Sequence, residues 1–218
     1  MTLFFQKELE KIKKLILSLG AMVEERMRLA IQAIADGDMQ IAKTVIQSDY
    51  EIDEKEVEVE EECLKILALY QPVAVDLRFL IAVIKINNDL ERIADEAVNI
   101  AQRVANITGK QDDGFRFDYA PMAEIVEDML KKSLDALVNL DVDLAFKVVT
   151  LDDDVDDLHA TAYDLIKKEM QKTPDKSGTL INLYLISRHL ERIADHATNI
   201  AEEVIYLVEG EIVRHGNY

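Results

Sequence analysis

Leu90-Glu91-Arg92-Ile93-Ala94-Asp95-Glu96-Ala97-Val98-Asn99-Ile100-Ala101 returns one hundred residues later as Leu190-Glu191-Arg192-Ile193-Ala194-Asp195-His196-Ala197-Thr198-Asn199-Ile200-Ala201. Only positions 96/196 and 98/198 differ. A match that close marks an internal duplication. Apolar residues recur in both copies at three- and four-residue steps, the period of a helix with one buried stripe. On a wheel of about 100° per residue, Leu90, Ile93, Ala97, Ile100 and Val104 share one side. Glu91, Asp95 and Asn99 take the opposite side, with Arg92 beside them.

A weaker echo lies upstream. Ala42, Val45, Asp49 and Asp53 match Ala145, Val148, Asp152 and Asp156 at an offset of 103. The duplicated unit therefore spans more than one helix. Leu9, Ile12, Ile16, Leu19, Val23, Met27, Ala30 and Ile34 predict a first helix from about Leu3 to Ala35. Asp36-Gly37-Asp38 breaks it, with Gly37 suited to a helix end and Asp38 to the next N-cap. A second helix is expected from Met39 to Leu69. Pro72 is expected in the first turn of a third, running to Thr108. Gly109 to Asp118 reads as a linker. Gly109 and Gly114 have the spacing of a phosphate-binding loop, but Phe115-Arg116 stand where Lys-Ser/Thr is required. Pro121 opens a fourth helix to Leu140, a fifth runs from Val142 to Lys172, and Thr173 to Gly178 is a break. A sixth is expected from Thr179 to Glu209, with a frayed tail after Gly210.

The expectation is an all-α protein of two tandem, pseudo-symmetric three-helix bundles, residues 1–110 and 119–218. Short connections make neighbouring helices antiparallel. Helices of about 30 residues are about 45 Å long, so the molecule should be elongated. Seven Gly and three Pro in 218 residues agree with long helices and few loops.

The formal net charge of −18 repels a nucleic-acid backbone and argues against docking on an anionic lipid surface. Metal cations and basic protein patches are the natural partners. Cys63 is the only cysteine; it sits at helical spacing among apolar residues and reads as core. A lone cysteine excludes an intramolecular disulfide and fits a reducing compartment. Met1 to Lys14 does not resemble a signal peptide. The longest apolar run, Phe79 to Ile84, falls short of the roughly 20 residues of a membrane helix. A cytoplasmic protein without direct membrane insertion is expected.

Glu91 and Asp95 stand four apart, so their side chains are neighbours. Asp49/Asp53, Asp152/Asp156 and Glu191/Asp195 repeat that spacing. If the second helix packs beside the third, each half gathers four carboxylates. Oxygen-rich sets of this kind suit Fe, Mn or Mg. Glu56, Glu60 and His159 could add ligands. His189, His196 and His215 read as surface histidines, and Arg92 and Arg192 as partners of the adjacent acids. A solvated acidic face is the plainer reading of any one pair; its repetition in both copies favours a site.

Gln71-Pro72-Val73-Ala74-Val75-Asp76-Leu77-Arg78 resembles the QPxAxDLR segment of the PhoU family. Asn88 to Asp95 and Ser187 to Asp195 resemble its repeated LERIxD motifs. The resemblance covers nearly the whole chain, although the second half lacks a QPxAxDLR counterpart. It implies two three-helix bundles carrying multinuclear metal clusters, iron first, with Mn, Mg or Zn as other occupants. The implied ligands are Asp49, Asp53, Glu91 and Asp95 in one half and Asp152, Asp156, Glu191 and Asp195 in the other. It implies a homodimer without catalytic activity. Such a protein represses phosphate uptake and the starvation response by contacting the phosphate ABC transporter's ATPase and a phosphate-sensing histidine kinase. Three other functions compete. A di-iron oxidase wants Glu-x-x-His on inward faces, and the chain has none. A phosphatase acting on a partner's phospho-aspartate would use Asp95/Asn99 and Asp195/Asn199 to position water. A metal-free helical spacer would need none of these side chains.

Overall fold

The computed structural model describes residues 3–107 and 115–210. Residues Gly109 to Gly114 of the expected linker, the tail after Gly210 and His215 lie outside the described residues.

Seven α-helices and one 3-10 turn make up the described chain: α1 Leu3–Asp36, α2 Met39–Gln47, α3 Tyr50–Tyr70, α4 Ala74–Ile107, α5 Ala120–Asn139, α6 Val142–Lys172 and α7 Ser177–Glu209, with the turn at Pro174–Lys176. No described helix is long and apolar enough to cross a membrane. The two halves, α1–α4 and α5–α7, are tandem helical bundles, as the repeat requires.

Connections follow local chemistry. Gly37 adopts φ +61, which a Cβ would oppose. The Asp38 side chain then accepts from the N–H groups of Gln40 and Ile41, capping α2. Asp141 caps α6 in the same way through Leu144 N–H.

Two boundaries differ from expectation. The second helix is not continuous: it breaks into α2 and α3 at Ser48–Asp49. Ser48 Oγ donates back to the carbonyls of Thr44 (2.7 Å) and Val45 (3.3 Å), a bond that competes with the helix ladder and bends it. The equivalent position in α6 is Leu151, and α6 runs unbroken although the adjacent Thr150 Oγ1 back-bonds to the carbonyls of Phe146 and Lys147. Pro72 also lies outside α4, not in its first turn. Gln71 ends α3 in the left-handed region (φ 46), its N–H on Leu67 O, and Ala74 (φ 50) starts α4. Residues 71–73 thus form a separate connection.

The core is the predicted stripe. Leu90, Ile93, Ala97, Ile100 and Val104 are buried, as are Leu190, Ile193, Ala197, Ile200 and Val204. Cys63 is core too, and burial pushes its thiol up to about 12. Truncating one of these leucines to alanine costs about 2–5 kcal/mol.

α4 and α7 pack against each other more extensively than any other pair of helices. They run antiparallel, since Lys85 reaches Glu203 (3.1 Å), Asp89 reaches His196 (2.9 Å) and Glu96 reaches His189 (2.6 Å). These contacts carry the pseudo-two-fold of the repeat. Position 96 of one copy meets position 189 of the other, and position 196 meets position 89.

Candidate metal centres in the two repeats

α3 lies along α4, and α6 along α7. The first seam brings Asp49 and Asp53 to the Glu91/Asp95 pair. Burial raises the Asp49 carboxyl above its ordinary value, and the charges of Asp53 and Asp95 add to this while Arg26 opposes it. Glu91 is raised first by burial, then by Asp95, with Glu56 and Asp53 contributing. Asp95 is raised by burial and by Asp53, against Arg92.

The second seam repeats the arrangement. Asp152 is pushed up to about 6 by burial, then by Asp195 and Asp156. Glu191 is raised by burial and Asp195, and Asp195 by burial and Asp156. All eight acids therefore gather in two groups of four.

Their placement corrects one expectation. Asp53, Asp156 and Asp195 are exposed, but Asp49, Glu91, Asp95, Asp152 and Glu191 are half-buried at the seams. The Glu191 side chain keeps only 13% of its surface in water. The wheel placed these residues opposite the core of their own helix, and the neighbouring helix covers part of that face.

The duplicated helical bundle has counterparts among known proteins. The family model for the PhoU domain matches twice, at residues 16–104 and 120–204. The chain belongs to the PhoU family. The phosphate-specific transport system accessory protein PhoU homolog of Pseudomonas aeruginosa is 38% identical over 213 residues, covering 97% of this chain and 88% of that protein. The homolog from Aquifex aeolicus is 39% identical over 209 residues, covering 96% and 95%. The crystal structure of PhoU from Pseudomonas aeruginosa superposes with a TM-score of 0.90 at 37% identity, covering 95% of this chain and all of that one. A phosphate transport system regulatory protein PhoU from Streptococcus pneumoniae superposes at 0.86 with 30% identity, covering 96% and 99%.

The donor chemistry in this PhoU-family chain suits a hard cation. Glu91 Oε2 and Glu191 Oε2, equivalent atoms of the two copies, are both buried without a hydrogen-bond partner. Glu91 Oε2 has Arg92 Nε at 3.5 Å, and Glu191 Oε1 accepts from Arg188 at 3.0 Å. A buried carboxylate oxygen left without a donor is costly, and a cation would relieve that cost in both copies. The geometry is not ready-made: among the described residues no three acidic, His or Cys side chains converge as a ligand set. On the second side, Asp152 and Asp195 line a cleft of about 950 Å³ between the halves, shared with Glu56, Glu60 and Asp89, so ions have access.

The histidines correct a second expectation. His189 is buried, not on the surface, and its Nδ1 lies 2.6 Å from Glu96. Glu96 is itself 2% exposed and also holds Arg192 at 2.7 Å. Burial works against the Glu96 carboxylate, but His189 and Arg192 hold it below its ordinary value. His196 is half-buried against Asp89. A signal for both pairs exists in the sequence: at 89/189 and 96/196 the first copy has an acid and the second a histidine. Arg192 accordingly serves Glu96 of the facing helix, whereas Arg92 lies near Glu91 and Asp95 of its own. His159 Nδ1 faces Ser187 Oγ at 3.1 Å and its ring stacks on Tyr184.

Proposed function

We propose that this chain is a regulatory accessory of phosphate transport that holds divalent cations in its two acidic seams. One observation supports the reading above the others. Nearly the whole chain, both copies included, aligns with proteins named for that transport system, and both acid quartets stand in equivalent seams. The chain would act as a cytoplasmic adapter, as a homodimer, between the phosphate ABC transporter's ATPase and a phosphate-sensing histidine kinase, repressing uptake and the starvation response when phosphate is plentiful. Iron is the first candidate ion, with Mn, Mg or Zn as alternatives, in multinuclear sites held by Asp49, Asp53, Glu91 and Asp95 and by Asp152, Asp156, Glu191 and Asp195. A bound cation would supply the positive charge that compensates these raised carboxylates. The protein's own residues supply the frame: Arg92 and Arg188 set the orientation of Glu91 and Glu191.

A metal-free helical adapter is a second reading, favoured by the lack of convergence among the eight carboxylates. The phosphatase alternative has little support. The Asn99 and Asn199 amides donate to Glu96 (3.4 Å) and Asp89 (3.2 Å) at the α4/α7 interface, which leaves neither directed at a water beside Asp95 or Asp195.

Deleting the encoding gene and following a phosphate-starvation reporter in rich phosphate tests the regulatory role. Derepression, with recovery of the transporter ATPase and the kinase on the tagged protein, is expected. A reporter that stays repressed and a protein that recovers neither partner would overturn it.

A further inference from the structure

α4 is the floor of a groove that has α3 on one side and α7 on the other. Asn87 Nδ2 fixes the register of the antiparallel α3 by donating to the Glu56 carbonyl and to Glu56 Oε1 (3.0 Å each). On the α7 side Lys85 Nζ reaches Glu203 (3.1 Å) and lies over the Tyr206 ring (5.4 Å). Leu77, Ile81, Ile84 and Asn88 recur at three- and four-residue steps, one stripe of α4. Leu77 (39%) and Ile81 (37%) are open to water. Ile84 and Glu60 line the same cleft of about 950 Å³. Val57 (49%) and Leu64 (52%), which flank Glu60 along α3, are exposed as well. Because α3 and α4 are antiparallel, Leu64 lies on the side of Ile81 and Leu77.

The walls of this groove are acidic. Six carboxylates line the cleft, Glu56 and Glu60 from α3 with Asp89, Asp152, Asp195 and Glu202, against the two cations Lys85 and Arg192, a local charge of −4 with His196 neutral. Both cations are already held by buried acids, Lys85 by Glu203 and Arg192 by Glu96 (2.7 Å). The sign does not change where the floor continues to Leu77. Gly210 meets the Arg78 guanidinium there, and Asp76 and Glu209 stand against that one arginine. The counterpart in the second copy is different. Ser177, Ile181, Tyr184 and Arg188 replace the α4 stripe, and Ala160, Tyr163 and Lys167 replace Val57, Glu60 and Leu64. Tyr163 packs on Tyr184 (5.8 Å) and Lys167 lies over Tyr163 (5.3 Å), so side chains of the chain itself occupy that position.

An apolar floor between acidic walls is the complement of an amphipathic helix whose apolar stripe is flanked by Lys or Arg. We propose that the groove over α4 docks such a basic amphipathic helix of a partner protein. The proposal rests on the adapter reading and names the chemistry of the partner's contact. From Leu77 to Asn88 the floor runs about 16 Å at about 1.5 Å per residue, the length of about three helical turns. Cations held by Asp152 and Asp195 would leave Glu56, Glu60 and Glu202 as the walls beside the apolar floor. Nucleic acid and anionic lipid are repelled by those walls. Two copies meeting groove to groove about a two-fold axis would set acid against acid. Residues 211–218 carry one arginine, Arg214, against Glu211, so they do not supply a basic face.

Fluorescence anisotropy of a labelled peptide of about five helical turns, with leucine at helical spacing and lysine elsewhere, tests the docking on the full chain in chelator. Two further peptides serve as controls: the same residues shuffled so that the apolar stripe is lost, and a version with glutamate in place of lysine. The basic amphipathic peptide should bind roughly tenfold or more tightly than the shuffled one, weakening with salt, and the glutamate peptide should not bind. Leu64→Ser with Ile81→Ser should weaken binding roughly tenfold or more. Glu56→Gln with Glu60→Gln should weaken it and flatten its salt dependence. Ile181→Ser, at the counterpart of Ile81, should leave it unchanged. Circular dichroism would confirm the fold of each variant. No binding of the basic amphipathic peptide, equal binding of the shuffled one, or parental affinity in Leu64→Ser/Ile81→Ser would overturn the proposal. So would self-association that this variant abolishes without any peptide binding, since a second copy would then cover the groove. A reporter derepressed by gene deletion, together with failure of the peptide to bind, would leave the adapter reading standing and remove only the groove.

Discussion

The two halves carry nearly the same motif but differ at its edges. In the first, the helix breaks at Ser48–Asp49; in the second, α6 runs straight through Leu151 and Asp152. Burial raises Asp152 to about 6 and raises Asp49 as well. In two of the contacts between α4 and α7, Glu96–His189 and Asp89–His196, the first half supplies the acid and the second the histidine. Duplication preserved the helix faces, and divergence at single positions turned two like surfaces into complementary ones. A copy facing itself would have placed acid on acid at 89 and 96. Histidine in the second copy converts both contacts into paired ones.

The sharpest test of that complementarity is Glu96→Ala. It leaves His189 and Arg192 without their buried partner and should lower stability by about 3 kcal/mol in urea unfolding. Asp89→Ala removes the half-buried counterpart and should cost about 1 kcal/mol. Equal losses would show that the two contacts do not differ through burial.

The second test concerns the seams. The raised folded-state carboxyl of Asp152 means that the native state binds the extra proton. Its unfavourable contribution is absent below about pH 4 and grows as pH rises toward about 6. Asp152→Asn should therefore match the parent near pH 4 and exceed its stability at pH 7 in the absence of divalent cations. Asp49→Asn should show the same sign. A variant less stable than the parent at pH 7 would mean that the ionised carboxylate is favourably held.

The smallest effect is expected at the break. Ser48→Leu copies the second half and removes the back-bonded hydroxyl, which should add a few helical residues by circular dichroism and about 0.5 kcal/mol or less. Unchanged helicity would place the cause of the break elsewhere.

The helix faces, the duplication and the candidate acids were legible because each depends on spacing along one helix. The buried leucines follow directly from that spacing. What escaped depends on contact between helices. Half-burial of Glu191 requires the neighbouring α6, and burial of His189 requires Glu96 of α4, ninety-three residues away. The break at Ser48 was hidden because one hydroxyl within an otherwise helical pattern leaves the periodicity intact. The exclusion of Pro72 from α4 follows from the left-handed Gln71, a backbone state that no side-chain pattern encodes.

Titration of chelator-stripped protein with Mn²⁺ or Fe²⁺ bears most directly on the central reading, followed by metal analysis and thermal melting. Binding that raises the melting temperature, and that disappears when Asp95→Asn is combined with Asp195→Asn while helicity is retained, is the predicted result. Failure to take up either ion, or equal uptake by the double variant, would contradict it.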